Sequence, residues 1–169
     1  VSSLETPERG TVRLRPPKNR VSRKAIAYWT LGALMGWVVI AGLQFVLLFA
    51  ADVQWAHATL IVTAVLGPLH ILVMPSWRFR VHRWEATDKA VFTQAGWIKQ
   101  QWRIAPISRL QTIDVARGPV EQLFGLAKVT ITTASAGGPI HIHALDHAVA
   151  LKLVDELTTT TQATHGDGT

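Results

Sequence analysis

The chain has 169 residues, 49% of them hydrophobic and only 17% charged, and a mean hydropathy of +0.22, which is oily for a soluble domain of this size. It contains no cysteine, which excludes a disulfide framework and any thiolate zinc site. The net charge of +6 is concentrated at one end, where residues 1–24 carry seven Lys or Arg against two Glu.

This first segment contains Gly10, Pro16 and Pro17, many charges and few large apolar residues, a composition that predicts a disordered basic arm over residues 1–24. Its cations Arg13, Arg15, Lys18, Arg20, Arg23 and Lys24 suit anionic lipid headgroups, each worth about 1 kcal/mol beside a cytoplasmic membrane face. The arm has no aromatic residue to stack on bases and leads into a membrane span, so nucleic acid is not its expected partner.

Residues 25–51 carry no charge, and Gln44 is their one strongly polar side chain; the run is long enough to cross a bilayer with some tilt. Its twelve Leu, Ile, Val and Phe residues favour insertion by about 5 kcal/mol. It is far longer than the apolar core of a cleaved signal peptide, and a second span follows at once. That span, residues 55–74, is kinked at Pro68 and holds His57 and His70 near its ends. With no carboxylate between them, these histidines read as interfacial groups and not as a proton relay.

The connection is short, so the spans form an antiparallel hairpin. Basic residues flank both outer ends, with Arg78, Arg80 and Arg83 after the second span and none in the turn; the positive-inside rule therefore places both termini in the cytoplasm. Trp29, Trp55 and Trp77 fall at three of the four helix ends, where indole favours the headgroup level. Gly32 and Gly36 form a GxxxG that allows close helix packing, either on Ala64 or Gly67 of the tethered second span or on another copy.

From residue 77 the periodicity changes. RFRVHRWEA, AVFTQ, AGW, IKQQWRI, LQTIDVA, LAKVTITTA and PIHIHA read as short strands, with SAGG as a hairpin turn. DHAVALKLVDEL reads as a helix capped by Asp146, its apolar stripe made of Val149, Leu153 and Leu157 with Ala150 and Val154 beside them. Six or seven strands and one closing helix predict a small bent antiparallel sheet or barrel over residues 77–158, the helix plugging its open end. The threonine-rich residues 159–169 are expected to be a disordered tail.

GGPIHIHALDH raises the question of chemistry. Strand geometry turns Ile140 and Ile142 to the core and His141 and His143 outward, and two histidines so spaced can share a metal ion. His141, His143 and His147 are therefore candidate ligands of a metal-dependent enzyme or sensor; surface histidines are the simpler reading. The sequence has no GxSxG, phosphate-cradling glycine loop, HExxH or cysteine nucleophile, so no enzyme and no cofactor are expected. A minor transporter subunit is a third reading, but two spans without a central polar constellation give it little help.

A series of motifs in order carries more information: Gly96-Trp97, Ile104-Ala105-Pro106, Arg109-Leu110-Gln111-Thr112-Ile113, VEQLFGLA from Val120, VTITTA from Val129, then a helix containing Ala148 and Leu151. Over about residues 78–158 this series resembles the bacterial pleckstrin-homology-like (PH) family of small membrane proteins, the YdbS-like group, and the two preceding spans fit that family's layout. The resemblance implies a non-enzymatic multi-pass protein of a bacterial inner membrane. Its PH-like domain would face the cytoplasm for protein–protein or membrane-surface contact, in a complex with a larger membrane protein bearing repeated PH-like domains. Arg109 and Gln111 are then candidates for a partner or ligand surface. Many members have an arginine where this chain has Gln122, so an anion contact there does not carry over. The phosphoinositide specificity of eukaryotic PH domains does not carry over either, because the loop Ala86-Thr87-Asp88-Lys89 after the arginines has little net charge.

Overall fold

The structure, a computed structural model, describes residues 15–49, 55–97, 99–134 and 137–166. Two long apolar helices, α1 (Lys24–Phe49) and α2 (Trp55–Val81), pack as a hairpin, both long and apolar enough to cross a membrane. The remaining elements form the β domain. A four-stranded antiparallel sheet has the order β1 (Asn19–Arg20), β2 (Arg83–Ala86), β3 (Ala90–Ala95), β4 (Gln101–Pro106). A 3-10 turn, Ile107–Arg109, leads to a three-stranded antiparallel sheet of β5 (Leu110–Ala116), β6 (Leu126–Thr133) and β7 (Ile140–Asp146). A short helix α3 (Pro119–Leu123) joins β5 to β6, and α4 (His147–Gly166) closes the domain.

One core gathers residues from both sheets and two helices. Val91 and Ala105 come from the first sheet, Leu126, Val129, Ile131, Ile140 and Ile142 from the second, and Ala150, Leu153 and Leu157 from α4, all essentially buried. Each large aliphatic side chain so buried contributes about 1.5–3 kcal/mol. Alternation along β7 matches the expected pattern, with Ile140 and Ile142 inside and His141 exposed. On α4 the buried stripe is Ala150, Leu153 and Leu157; Val149, expected in it, is 42% exposed because it faces away from that stripe.

Four expectations need correction. Residues 15–24 are not a disordered arm: Asn19 pairs with Trp84 and Arg20 with Arg83, while Pro17 and Val21 are buried. The rest of that segment, Arg13 included, lies outside the described residues. The second helix does not end at Met74. It continues through Pro75 to Val81, so Arg78 and Arg80 are helical and the strand begins only at Arg83. The alternation of Phe79 and Val81 with arginines imitates a strand, but the helix supplies the backbone bonds, as in His82 N–H to the Arg78 carbonyl at 2.9 Å.

AGW is not a strand either, since Gly96 takes φ +132° and turns the chain after β3. The threonines after Leu157 continue α4 instead of forming a tail. The hydroxyls of Thr158, Thr159, Thr160 and Thr161 each donate to the carbonyl four residues back, at 2.7–2.9 Å, and so find partners within the helix. The SAGG turn falls partly outside the described residues; Gly138 within it has φ +71°. Gly125, in the VEQLFGLA motif, has φ +65°, where a side chain is strained, and its carbonyl accepts the His147 N–H at 3.0 Å.

Candidate functional site

The hairpin and the β domain meet at a junction built by both ends of the hairpin. α1 begins three residues after β1, and α2 runs to within two residues of β2, while β1 and β2 pair with each other. The first turn of α1 is also fastened to β7. Ser22 N–H donates to the Ala144 carbonyl at 3.0 Å, and Lys24 Nζ reaches Asp146 Oδ2 at 2.9 Å. That ion pair holds the Asp146 carboxyl below its ordinary range, while Asp146 Oδ1 accepts the Ala148 N–H at 3.4 Å as the expected cap of α4.

One turn further along α1, Trp29 is 5% exposed. Its ring lies 5.2 Å from that of His82, and the Arg78 guanidinium sits over it at 4.7 Å. Trp29 was expected at the headgroups with Trp55 and Trp77; those two are exposed, but Trp29 is packed into the domain. His82 is buried, and its Nδ1 lies 2.9 Å from the Arg78 carbonyl, to which the Nδ1–H tautomer donates. Burial first, and the Arg78 charge second, push the His82 pKa down to about 4, so the ring is neutral at physiological pH. His143 is lowered by the same leading cause, burial, and then by Lys128 and its neighbours.

Cavities open at this junction, and two of them share a wall. The first, about 550 Å³, is lined by His70, Met74, Arg78, His82, Trp97, Lys99 and His143 among others, with no acidic residue among the described residues that line it. The second, about 560 Å³, runs along α1 from Tyr28 to Met35 and is closed by Val120 and Glu121 of α3. Met74, Arg78 and His143 line both. A third cavity, about 510 Å³, lies on the outer face of the first sheet, where Phe92, Trp102 and Ile104 form an apolar patch beside Arg15, Asp88 and Lys89. Ile104 stands directly opposite Phe92, and Trp102 is two residues before it on β4, the edge strand.

The cations expected to meet lipid have divided roles. Arg15 donates to Glu85 at 2.7 Å, Lys18 lies 3.9 Å from the same carboxylate, and Lys24 is bonded to Asp146. Arg20 lies over the Phe79 ring at 5.8 Å, and Arg83 reaches the Pro17 carbonyl at 3.5 Å. Arg23 and Arg80 are exposed. Arg109 and Gln111 are exposed on the turn before β5 and on that edge strand, and line none of these cavities. Gln122, the departure from the family turn, donates to the Arg117 carbonyl at 3.2 Å.

Gly32 and Gly36 do not seat the second helix: a Cβ added at either would meet no group of another element within 4 Å among the described residues. The close approach is instead at Gly67, where an added Cβ would lie 3.5 Å from the Trp37 ring, and Trp37 Nε1–H donates to His70 Nδ1 at 3.0 Å. The histidines of the GGPIHIHALDH stretch separate. The His141 and His143 rings are 5.8 Å apart, but His141 Nδ1 bonds Thr130 Oγ1 at 3.2 Å, His143 turns to the junction, and His147 starts α4. Among the described residues no three His, Asp or Glu side chains form a group suited to a metal ion.

Two spans followed by two antiparallel sheets and a closing helix are the layout implied by the motif series, and the profile of the bacterial PH domain family matches residues 27–160. The chain belongs to the bacterial PH domain family. This PH domain protein is 27% identical over 161 residues to the transmembrane protein YdbS of Bacillus subtilis (strain 168), covering 89% of the present chain and 97% of YdbS. No solved structure matches it. Sequence reasoning on the bacterial PH domain protein missed the junction cavities and the Phe92–Trp102–Ile104 patch. One signal was available, a chain with seven tryptophans of which several lie outside the spans. Tryptophan is favoured where an apolar body meets a polar edge.

Proposed function

We propose that this membrane protein is a non-enzymatic binding module of a bacterial inner membrane, with its PH-like domain held at the cytoplasmic surface as part of a membrane complex. One observation carries the reading: the hairpin is inserted between two paired strands, β1 and β2, so the domain is tied to the bilayer by both ends of the hairpin. The tied end is also the basic end, which the positive-inside rule assigns to the cytoplasm. The apolar patch of Phe92, Trp102 and Ile104, rimmed by Arg15, Asp88 and Lys89, supports a protein partner, because aromatic groups inside a polar rim suit an interface. A larger membrane protein with repeated PH-like domains is the partner that the family layout implies.

The chain lacks cysteine, so single introduced thiols report topology without background. An impermeant maleimide on intact cells is expected to label Asp52→Cys, and to label Thr158→Cys only after lysis; the reverse pattern overturns the orientation. Purification of the full chain in mild detergent is expected to bring down a larger PH-domain membrane protein, with recovery reduced by Trp102→Asp. Elution of the chain alone removes the reading of a complex.

A further inference from the structure

We infer that the two junction cavities together bind one anionic phospholipid of the cytoplasmic leaflet, its phosphate held by Arg78 and Lys99 and one acyl chain laid along α1 across Gly32. The inference rests on the cytoplasmic placement proposed above and adds the ligand class and the residues. Arg78 stands in the last turn of α2 and, among the described residues, has no carboxylate partner; its guanidinium lies over the face of Trp29. A guanidinium so placed offers a planar fork of donors to a phosphate. Lys99 adds a second cation to the same cavity, which has no acid among the described residues of its lining. Of the histidines in its lining, His82 and His143 have lowered pKa values, so neither competes with Arg78 and Lys99 as a cation there.

The second cavity has the opposite character. Tyr28, Leu31, Ala33 and Met35 make its wall, and the acid in its lining, Glu121, makes that end a poor place for a phosphate. Glu121 is already engaged, accepting the Gly118 N–H at 2.8 Å. The headgroup therefore belongs in the first cavity and the chain in the second, with Arg78 in the wall they share. Gly32 lines the chain cavity, and a Cβ added there would meet no neighbouring group among the described residues within 4 Å. The free glycine that fails to seat the second helix thus leaves open the space an acyl chain needs. The cavities also lie at the end of the hairpin, the level at which a lipid changes from polar to apolar.

The test uses the full chain in detergent micelles at neutral pH, offered equal amounts of phosphatidylglycerol and phosphatidylcholine and read by native mass spectrometry. Retention of phosphatidylglycerol is expected to exceed that of phosphatidylcholine by about tenfold, a difference of about 1.4 kcal/mol. Arg78→Gln should abolish the preference. Because losing the Trp29 contact could weaken the fold, two further variants spare it: Lys99→Gln should reduce the preference several-fold, and Gly32→Leu should lower retention of both lipids. Equal retention of the two lipids by the unmodified chain, or an unchanged pattern in both K99Q and G32L, overturns the site. Displacement of the lipid by 10 mM inorganic phosphate, an amount of about that order being ample for a free-anion site, overturns it in favour of a soluble anion. Orientation fails separately, in the thiol-labelling experiment, since micelles have no sides.

Discussion

At the scale of single residues, His82 shows how a membrane-edge position converts burial into a pH response. The ring is 4% exposed, packed on Trp29 and bonded to the Arg78 carbonyl. Its pKa falls from the ordinary 6.5 to about 4 in the folded protein. Between these values the unfolded chain takes up a proton that the folded chain refuses. Stability is therefore complete above about pH 6.5 and declines as the pH drops toward 4, by up to about 3 kcal/mol for this one group. His143, lowered in the same direction, adds to the slope. Thermal unfolding in detergent at pH 7.5 and pH 5 should show a clear loss of stability on acidification. His82→Asn, which can still donate to the Arg78 carbonyl, should flatten that loss; an unchanged slope would assign the response to other groups. The sequence displayed His82 only as one polar residue in an alternating run.

At the scale of elements, what was legible followed from periodicity, and what was missed followed from contacts distant in sequence. The two spans, the alternation of Ile140 and Ile142 against His141, and the Asp146 cap could all be read locally. The strand β1 could not, because two residues do not make a pattern and their partners lie more than sixty positions away. Composition alone made residues 15–24 look like solvent-exposed arm. In the fold, Glu85 draws that segment down. It accepts Arg15 at 2.7 Å and the Lys18 N–H at 3.2 Å, and its side chain is 9% exposed. Replacing Glu85 with Ala removes a charge-assisted pair of bonds and should cost about 1–3 kcal/mol. Because Lys18 and Arg20 are trypsin sites, the same variant should be cut there much faster than the unmodified chain. Equal cleavage rates would mean that β1 is held by its backbone pairing and Pro17 alone.

At the scale of the molecule, one core crosses the boundaries expected between arm, hairpin and β domain, and the hairpin stands between the paired strands β1 and β2. Val21, Ala25 and Trp29, all before the middle of α1, belong to the same core as Ile131, Leu153 and Leu157. The candidate site was hidden for the same reason: Trp29, Arg78, Lys99 and His143 are spread over more than a hundred residues, and only the insertion brings them to one place. This sets what can be cut away. A fragment of residues 77–166 keeps most of both sheets and α4 but loses β1, Val21, Ala25 and Trp29. Burial of the Trp29 and Val21 side chains alone contributes about 1.5–3 kcal/mol each, a large part of the roughly 5–15 kcal/mol that holds a domain together. The fragment should therefore melt without a cooperative transition and bind hydrophobic dye. A second soluble chain, in which a Gly/Ser linker joins residue 30 to residue 76 in place of the membrane-crossing turns, restores those groups and should melt cooperatively. Cooperative melting of the 77–166 fragment on its own would show that the β domain is independent of the hairpin and only tethered to it.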